Sequence, residues 1–513
     1  MTGVTHSSAA HRRTRPAVLG LAATLSVPVL LALTTGLPTP ANAAGTARHE
    51  VYPVPPGGVY TIHGRGNGHG HGMSQWGAYG AVKVDHLSMN QVLHFYYPHT
   101  TLATKSTQRT IRVLLSATDA SGRGYVQVKP ALGLSVTPSG GKTLVLARKT
   151  AKKKAIAGWR LQKQGSSVLL RESVSGTWHT VKTFGSGATI SDTAEQIPVV
   201  TPSGPISYRG SVVAEIESGA MEAVNDVNVE QYLYSVVPAE MSSSWPTAAL
   251  QAQAVASRSY ARHGLNNPKA SWYDVDGDTR DQAYGGVGIE TARTTNAVNA
   301  TAGETIVDGH NRAIMAQYAS ADGGWTVSGG VSYLPSEADP YDGAIPNTDH
   351  AWTRSVAAST LEAAYPKLGK LEDIDITGRD GDGLWGGRVT ELTLVGSHSS
   401  VQLSGSALQA TLGFGSTWFR PTPLPAAPAQ LSAKAKGSTV TITWQAPHSV
   451  SGASPVSGYL VTLAPGKHSA KVSAKVLTES VAKLAAGTYT VRVAALSKAG
   501  TGPTASTTVT VGK

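Results

Sequence analysis

Ser235-Val-Val-Pro-Ala-Glu-Met-Ser-Ser-Ser-Trp-Pro-Thr-Ala-Ala-Leu-Gln-Ala-Gln-Ala-Val-Ala-Ser-Arg-Ser-Tyr260 is the stretch on which the reading of this chain turns. It sets one carboxylate, Glu240, in a short apolar and hydroxyl-rich turn just ahead of a helix. Pro238 and Pro246 bracket that turn, since proline cannot continue the helix before it and suits the first turn of the helix after it. Thr247 to Arg262 are strong helix formers, with Gly264 as the expected stop. Gln253, Ser257 and Tyr260 stand at spacings of four and three, so they share a face, with Arg258 beside them. A lone Glu near Trp245, Met241 and Val237 loses water if the turn folds inward, and its pKa then rises toward that of a working general acid. The competing reading is a surface carboxylate at a helix N-terminus, with no chemistry attached.

Working outward, 513 residues are too many for one small core, so two or more domains are expected. Charged residues make up only 15%, while Gly (56) and Pro (28) are plentiful, which suits a loop-rich, strand-containing protein. The net charge is +11, to which Arg12, Arg13 and Arg15 of the leader contribute three. A basic surface suits an anionic partner. Bacterial wall polymers fit that description, whereas no helix-turn-helix, zinc-finger or RNP-like signature supports nucleic acid. His11-Arg-Arg-Thr-Arg15, the apolar run Ala17 to Leu33 and Ala41-Asn-Ala43 read as a secretory signal over residues 1–43, cleaved after Ala43. The expected destination is therefore outside the cell or in its wall; an uncleaved membrane anchor is the alternative. The absence of cysteine rules out disulfides and thiolate chemistry in an exported chain.

After the leader, Thr61-Ile-His-Gly-Arg-Gly-Asn-Gly-His-Gly-His-Gly-Met-Ser-Gln-Trp-Gly-Ala-Tyr-Gly80 places glycine at every second position from Gly64 to Gly72. Such backbone bends sharply and can approach a ligand closely. His69, His71, Ser74 and Gln75 bring polar groups to the bend. A phosphate loop would need Lys-Ser/Thr after the glycines, and Met73-Ser74 follows instead. A zinc site would need a third ligand at a recognisable spacing, and none is evident. A wall of a sugar cleft and a tight turn with merely hydrogen-bonded histidines remain open. Asn90 to Tyr97 reads as a short packing helix.

Residues from about 109 to 200 are β-rich, with β-branched alternation at Thr110 to Ser116, Tyr125 to Lys129 and Val168 to Arg171. The lysines at 149 and 152–154 read as a solvated face. Tyr208 to Glu217 and Met221 to Val227 flank Ser218-Gly219 as a hairpin, and Val229 to Val236 is a short helix leading to Glu240. Tyr273 to Gly286 has acidic spacing, but glycine stands at the wrong position for a calcium loop and Gly285 replaces its closing Glu. Thr291 to Ala302 is expected to be helical. Ala319 to Thr326, with Ser320, Gly323 and Gly324, is a small-residue loop suited to sugar hydroxyls. Pro421 to Pro428 reads as a linker. Beyond it, residues 429–513 alternate steadily, with Trp444, Tyr459, Leu484 and Tyr489 at inward positions, as in a sandwich of about seven strands. Val440-Thr-Ile-Thr-Trp444, Ser457-Gly-Tyr-Leu-Val461 and Leu484 to Ala494 resemble a fibronectin type III domain.

Taken together, Gly64 to Ala78, Val237-Pro-Ala-Glu-Met241, Trp245 to Tyr260, Gln282-Ala-Tyr-Gly-Gly286, Ser320 to Thr326 and Ser416-Thr-Trp-Phe419 resemble the SpoIID/LytB family over roughly residues 58 to 420. That family is named after a sporulation protein and an amidase enhancer. The resemblance implies an α+β domain over residues 44–420 with a β-rich insertion, followed by the all-β sandwich. In sporulation members it implies a lytic transglycosylase that cuts peptidoglycan glycan strands after their stem peptides are removed, and the catalytic glutamate falls on Glu240. Two departures stand out. The Gly-His-Gly block precedes the glutamate here and follows it in the sporulation proteins, as in a circular permutation. Asp276 and Asp281 stand where relatives often carry a cysteine pair.

A lytic transglycosylase manages with one carboxyl group because the substrate supplies its own nucleophile. A hydrolase wants a second carboxylate across the sugar, about 5 Å or about 6.5–9.5 Å away; Asp322 and Asp278 are the available candidates. His69, Ser74, Gln75, Gln253, Arg258, Tyr260, Tyr284, Ser320, Gly323 and Gly324 are the expected substrate-holding residues, and no cofactor or metal is expected. Two rivals stand beside this reading: a non-catalytic wall-binding protein that enhances an amidase, and a metal-dependent hydrolase using His69 and His71.

Overall fold

The computed structural model describes residues 49–115, 124–450, 452–466 and 468–512. The expected leader, residues 1–43, lies outside them. Helices among the described residues are α1 (Gln75–Lys83), α2 (Met89–Tyr96), α3 (Val229–Glu240), α4 (Thr247–Asn266), α5 (Ala292–Ala300), α6 (Ala358–Ala364) and α7 (Gly405–Leu412).

The alternating segments after Thr110 form two antiparallel-rich sheets, one of seven strands and one of six. Val126 and Val128 in Tyr125–Val128, and Leu134 and Val136 in Leu134–Pro138, are buried between partly exposed neighbours, the pattern of strands with one face on a core. Ile111, Val113, Val136, Leu161 and Val212 belong to that core. The hairpin expected around Ser218-Gly219 pairs Ser211–Glu217 with Ala220–Asn228. Its second strand runs straight into α3, because the Asn228 side chain turns back to accept the Glu230 N–H at 2.8 Å.

A second core brings the two unusual stretches together. Met73, Ala78, Val92, Leu93 and Tyr96, from the Gly-His-Gly block and the helices after it, pack with Met241, Leu250 and Val255 of the glutamate block. Each large apolar side chain so buried contributes about 1.5–3 kcal/mol. The third core lies between a four-stranded sheet (Glu50–Pro53, Leu371–Arg379, Val389–Gly396, Ser400–Ser404) and a three-stranded one (Ala351–Ala357, Val59–Arg65, Phe419–Pro421). The last is a sandwich of a three-stranded and a four-stranded sheet, filled by Trp444, Tyr459, Tyr489 and their neighbours. The fold is thus α+β followed by an all-β sandwich.

Two local expectations need correction. Pro238 does not end the preceding helix, which runs on to Glu240. Its missing N–H costs one hydrogen bond in the last turn, and the Met241 N–H restores the end by donating to Val237 O at 2.9 Å. Gly264 does not end α4 either. A Cβ there would lie 2.7 Å from Val275 Cγ1, so the glycine serves close helix–strand packing two residues before the true end. In Tyr273 to Gly286, the acidic side chains pair with cations of the chain itself. Asp276 and Asp281 both bind Lys269 Nζ, at 2.8 and 2.5 Å, and Asp276 and Asp278 bind Arg280, each at 2.9 Å.

Candidate active site

Glu240 ends α3 half-buried, and three donors from three other segments converge on it. The Ala283 N–H reaches Oε1 at 2.9 Å and Gln75 Nε2 reaches Oε2 at 3.2 Å. The Tyr318 hydroxyl also donates to the carboxylate. Gln75 opens α1, directly after the two-residue strand Met73–Ser74, which pairs in parallel with Tyr318–Ala319. That short ladder carries both side-chain donors to the acid.

Behind this shell the polar groups form a directed chain. Gln253 Nε2 donates to Ser257 Oγ at 2.9 Å, and Ser257 Oγ donates to Tyr318 Oη at 3.3 Å. Gln282 Nε2 donates to Tyr318 Oη at 2.8 Å, while Gln282 Oε1 accepts from Tyr232 Oη at 3.3 Å. Gln253, Ser257, Gln282 and Tyr232 are wholly enclosed. Because Tyr318 accepts twice, its single proton is left for Glu240. Burial raises the Glu240 pKa above the usual carboxylate range, and the bonds from Ala283, Gln75 and Tyr318 pull against that rise. The result is a carboxyl group held in one orientation, more readily protonated than one in water, and supplied with donors for its ionised form.

Three half-buried rings lie on the segments beside it. Trp245 stacks on Tyr79 at 4.9 Å and tilts against Trp76 at 4.8 Å, with Trp76 and Tyr79 5.7 Å apart. Trp76 follows Gln75 in α1, and Trp245 closes the turn after Glu240. Such a shelf offers apolar ring faces beside polar groups, as carbohydrate sites require.

The other expected site residues distribute unevenly. Ser74 is buried as the N-cap of α1, its Oγ accepting the Gly77 N–H at 2.9 Å. Arg258 departs from the expectation: it is fully enclosed, holds Glu230 at 2.7 Å and also donates to Glu304 O and Val298 O. Tyr284 departs likewise, with its hydroxyl on Asn225 Oδ1 at 2.7 Å and its ring packed against Tyr208 and Tyr232. Tyr260 binds Asp281 Oδ1 at 2.8 Å, which steadies the segment that presents the Ala283 N–H. Ser320 donates to Asp349 Oδ2 at 2.6 Å, and its carbonyl accepts from the Trp76 N–H. Gly323 and Gly324 brace the glycine-rich turn rather than face Glu240: a Cβ on Gly323 would stand 2.7 Å from the Gly66 nitrogen.

His69 is exposed, stacked on His71 at 5.1 Å, and its Nδ1 accepts the His71 N–H. Desolvation by its neighbours, then His71 and Arg388, lower its pKa, so the ring is neutral at pH 7. His71 uses Nδ1 on Val327 O at 3.0 Å. Among the described residues, no group of three or more His, Cys, Asp or Glu is placed to hold a metal ion. Of the two carboxylates considered as a second catalytic group, Asp322 is 1% exposed and Asp278 is bound by Arg280. Burial, then Asp339 and Asp342, push the Asp322 pKa up.

Residues 217–307, which contain α3, α4 and Glu240, match the family model described as Stage II sporulation protein, SpoIID. Residues 426–511 match that of the fibronectin type III domain.

The chain carries a SpoIID domain followed by a fibronectin type III domain.

The glycine-rich turn and Tyr318 lie outside the segment matched to SpoIID, although they complete the surroundings of its glutamate. An amidase enhancer of Bacillus subtilis (strain 168) is 31% identical over 146 residues, covering 27% of this chain and 19% of that one. An uncharacterised protein of Brachyspira hyodysenteriae (strain ATCC 49526 / WA1) is 35% identical over 205 residues, covering 34% of this chain and 55% of the other. The SpoIID-bearing chain thus spans about half of one relative's length and about a fifth of the other's. The fifth fibronectin domain of Drosophila Lar, a crystal structure, is 21% identical over 18% of this chain and 99% of its own, with a TM-score of 0.15, a score at which the likeness adds nothing to the family match.

Sequence reasoning missed Tyr318 and the shelf of Trp76 and Tyr79. Tyr318 sits one residue before the loop that was singled out, and only its parallel pairing with Met73 reveals its direction. Trp76 and Tyr79 stand at i and i+3 of α1, a spacing that marks a shared face but does not name the partner ring.

Proposed function

We propose that this chain is a secreted cell-wall protein that cleaves peptidoglycan glycan strands as a lytic transglycosylase, with Glu240 as its general acid and base. Its SpoIID domain and the relative named amidase enhancer support a cell-wall role. The observation that carries the finer reading is Glu240 itself: one half-buried carboxyl, raised pKa, donors on both oxygens, and an aromatic shelf close by.

Protonated Glu240 donates to the glycosidic oxygen between N-acetylmuramic acid and N-acetylglucosamine, and the bond to the muramic C1 breaks with oxocarbenium character. The resulting carboxylate, steadied by Ala283, Gln75 and Tyr318, then takes the proton of the muramic C6 hydroxyl as O6 closes on C1. Glu240 is thereby reprotonated, no water is consumed, and a 1,6-anhydro end is left. The burial of Asp322 and the pairing of Asp278 with Arg280 favour this single-carboxyl route over hydrolysis.

Digestion of intact and amidase-treated peptidoglycan, read by mass spectrometry with Glu240→Gln alongside, tests the reading. Anhydro ends from the wild type alone support it, and reducing ends would make the protein a hydrolase. The second reading, a non-catalytic amidase enhancer, is favoured by the Bacillus relative's name. It requires that a purified cell-wall amidase be stimulated equally by the wild type and by Glu240→Gln.

A further inference from the structure

The far end of α4 has an unassigned cavity of about 240 Å³, lined by Lys105, Arg109, Arg262, Asn266, Asn311 and Arg312 among others. Arg262 stands nine residues beyond Gln253, about 14 Å further along the helix axis, so this cavity is separate from the surroundings of Glu240. Its cations come from three segments. Lys105 and Arg109 lie on the link between strands Thr101–Thr104 and Thr110–Leu114, Arg262 on α4, and Arg312 on the turn after strand Glu304–Val307.

Their existing partners leave capacity unspent. Arg312 is occupied by Asp308, through contacts of 2.9 and 2.8 Å. Lys105 Nζ donates to the carbonyl and the side-chain oxygen of Asn311, at 3.1 and 2.6 Å, and retains a third proton. Arg109 is exposed and its guanidinium has no partner among the described residues. Arg262 is only 8% exposed; one Nη donates to Ser106 O, while its Nε is enclosed without an acceptor. Arg262 thus sets its charge against a neutral carbonyl and not against a hydrogen-bonded carboxylate. Glu230, whose charge acts on Arg262, is already held by Arg258.

We propose that this cavity binds a phosphate group. Lys105, Arg109 and Arg262, from two segments, line the cavity with no carboxylate hydrogen-bonded to them among the described residues, and Asn266 and Asn311 line it as well. A planar carboxylate satisfies one guanidinium fork, whereas a tetrahedral oxyanion meets donors on several sides. The volume leaves room for an ester substituent, so the group comes either as free phosphate or as a unit of a phosphodiester polymer.

Titration calorimetry on the full secreted chain with inorganic phosphate, a glycerol-phosphate oligomer and malonate tests this. Saturable binding of a phosphate probe is expected, weakened about tenfold or more by Arg109→Ala, an exposed position that leaves the fold intact, and by Lys105→Gln. Neutralising the exposed Lys152, Lys153 and Lys154 should leave binding unchanged. A tighter oligomer identifies the polymer as the source, and a tighter free ion identifies phosphate itself. No saturable binding, equal binding by Arg109→Ala and Lys105→Gln, or malonate binding as tightly as phosphate would overturn the proposal.

Discussion

Glu240 is pulled two ways, and each pull predicts a measurable change. Desolvation raises its pKa, so the folded chain holds its proton to higher pH than the unfolded chain does. Stability from this group is therefore present at low pH and lost as pH rises from the unfolded value of about 4.3 through the raised folded one. The melting temperature of Glu240→Gln, taken relative to wild type, should accordingly be more favourable at pH 7 than at pH 4. On the proposed reading its glycan cleavage falls by about 10²–10⁴. Tyr318→Phe removes one of the bonds that lower this pKa. The alkaline limb of the pH–rate profile should then move upward, a shift that mere loss of packing would not produce. Trp245→Ala should raise KM up to about tenfold with kcat little changed, since aromatic contacts of this kind are worth about 0.5–1.5 kcal/mol. Glu240, Gln75 and Gln253 were legible in the sequence because each belongs to a dense local motif. Arg258 and Tyr284 were not: a helix face and a glycine-flanked tyrosine do not say whether a polar head meets solvent or an internal partner such as Glu230 or Asn225.

Among the elements, α3 and α4 were read nearly whole because their alanines, apolar spacing and Pro246 agree on where helix begins. Their ends were misjudged at Pro238 and Gly264, where Met241 packing and contact with Val275 override local preference. The strand Tyr318–Ala319 was invisible, because two residues carry no periodicity. The salt bridge from Arg258 ties α4 to α3 through Glu230, which is 7% exposed. Arg258→Met should destabilise the protein by about 3–5 kcal/mol, and adding Glu230→Gln should restore part of that in thermal unfolding, because the uncompensated charge is gone. Gly323 has φ +85°, and a Cβ there would press on the Gly66 nitrogen. Gly323→Ala should cost more than about 1 kcal/mol, a fall in Tm of about 2–4 °C for each kcal/mol.

Across the whole molecule, four cores are joined in one chain with the Glu240 surroundings assembled around the second. The sandwich was legible because steady alternation with inward aromatics needs no long-range information. The meeting of the glycine-rich turn with α3 was inferred only through resemblance, since residues 75 and 240 are separated by two intervening sheets. For a chain exported as proposed above, the Tyr318–Ala319 ladder has a bearing on the order of events. A chain that emerges N-terminus first presents Gln75 early, then Glu240, but the hydroxyl that steadies the acid arrives only with residue 318. On the proposed reading, a half-emerged chain is harmless to the wall it is passing through, and cutting begins only when translocation is well past the glutamate. On that reading the connectivity itself acts as a timer.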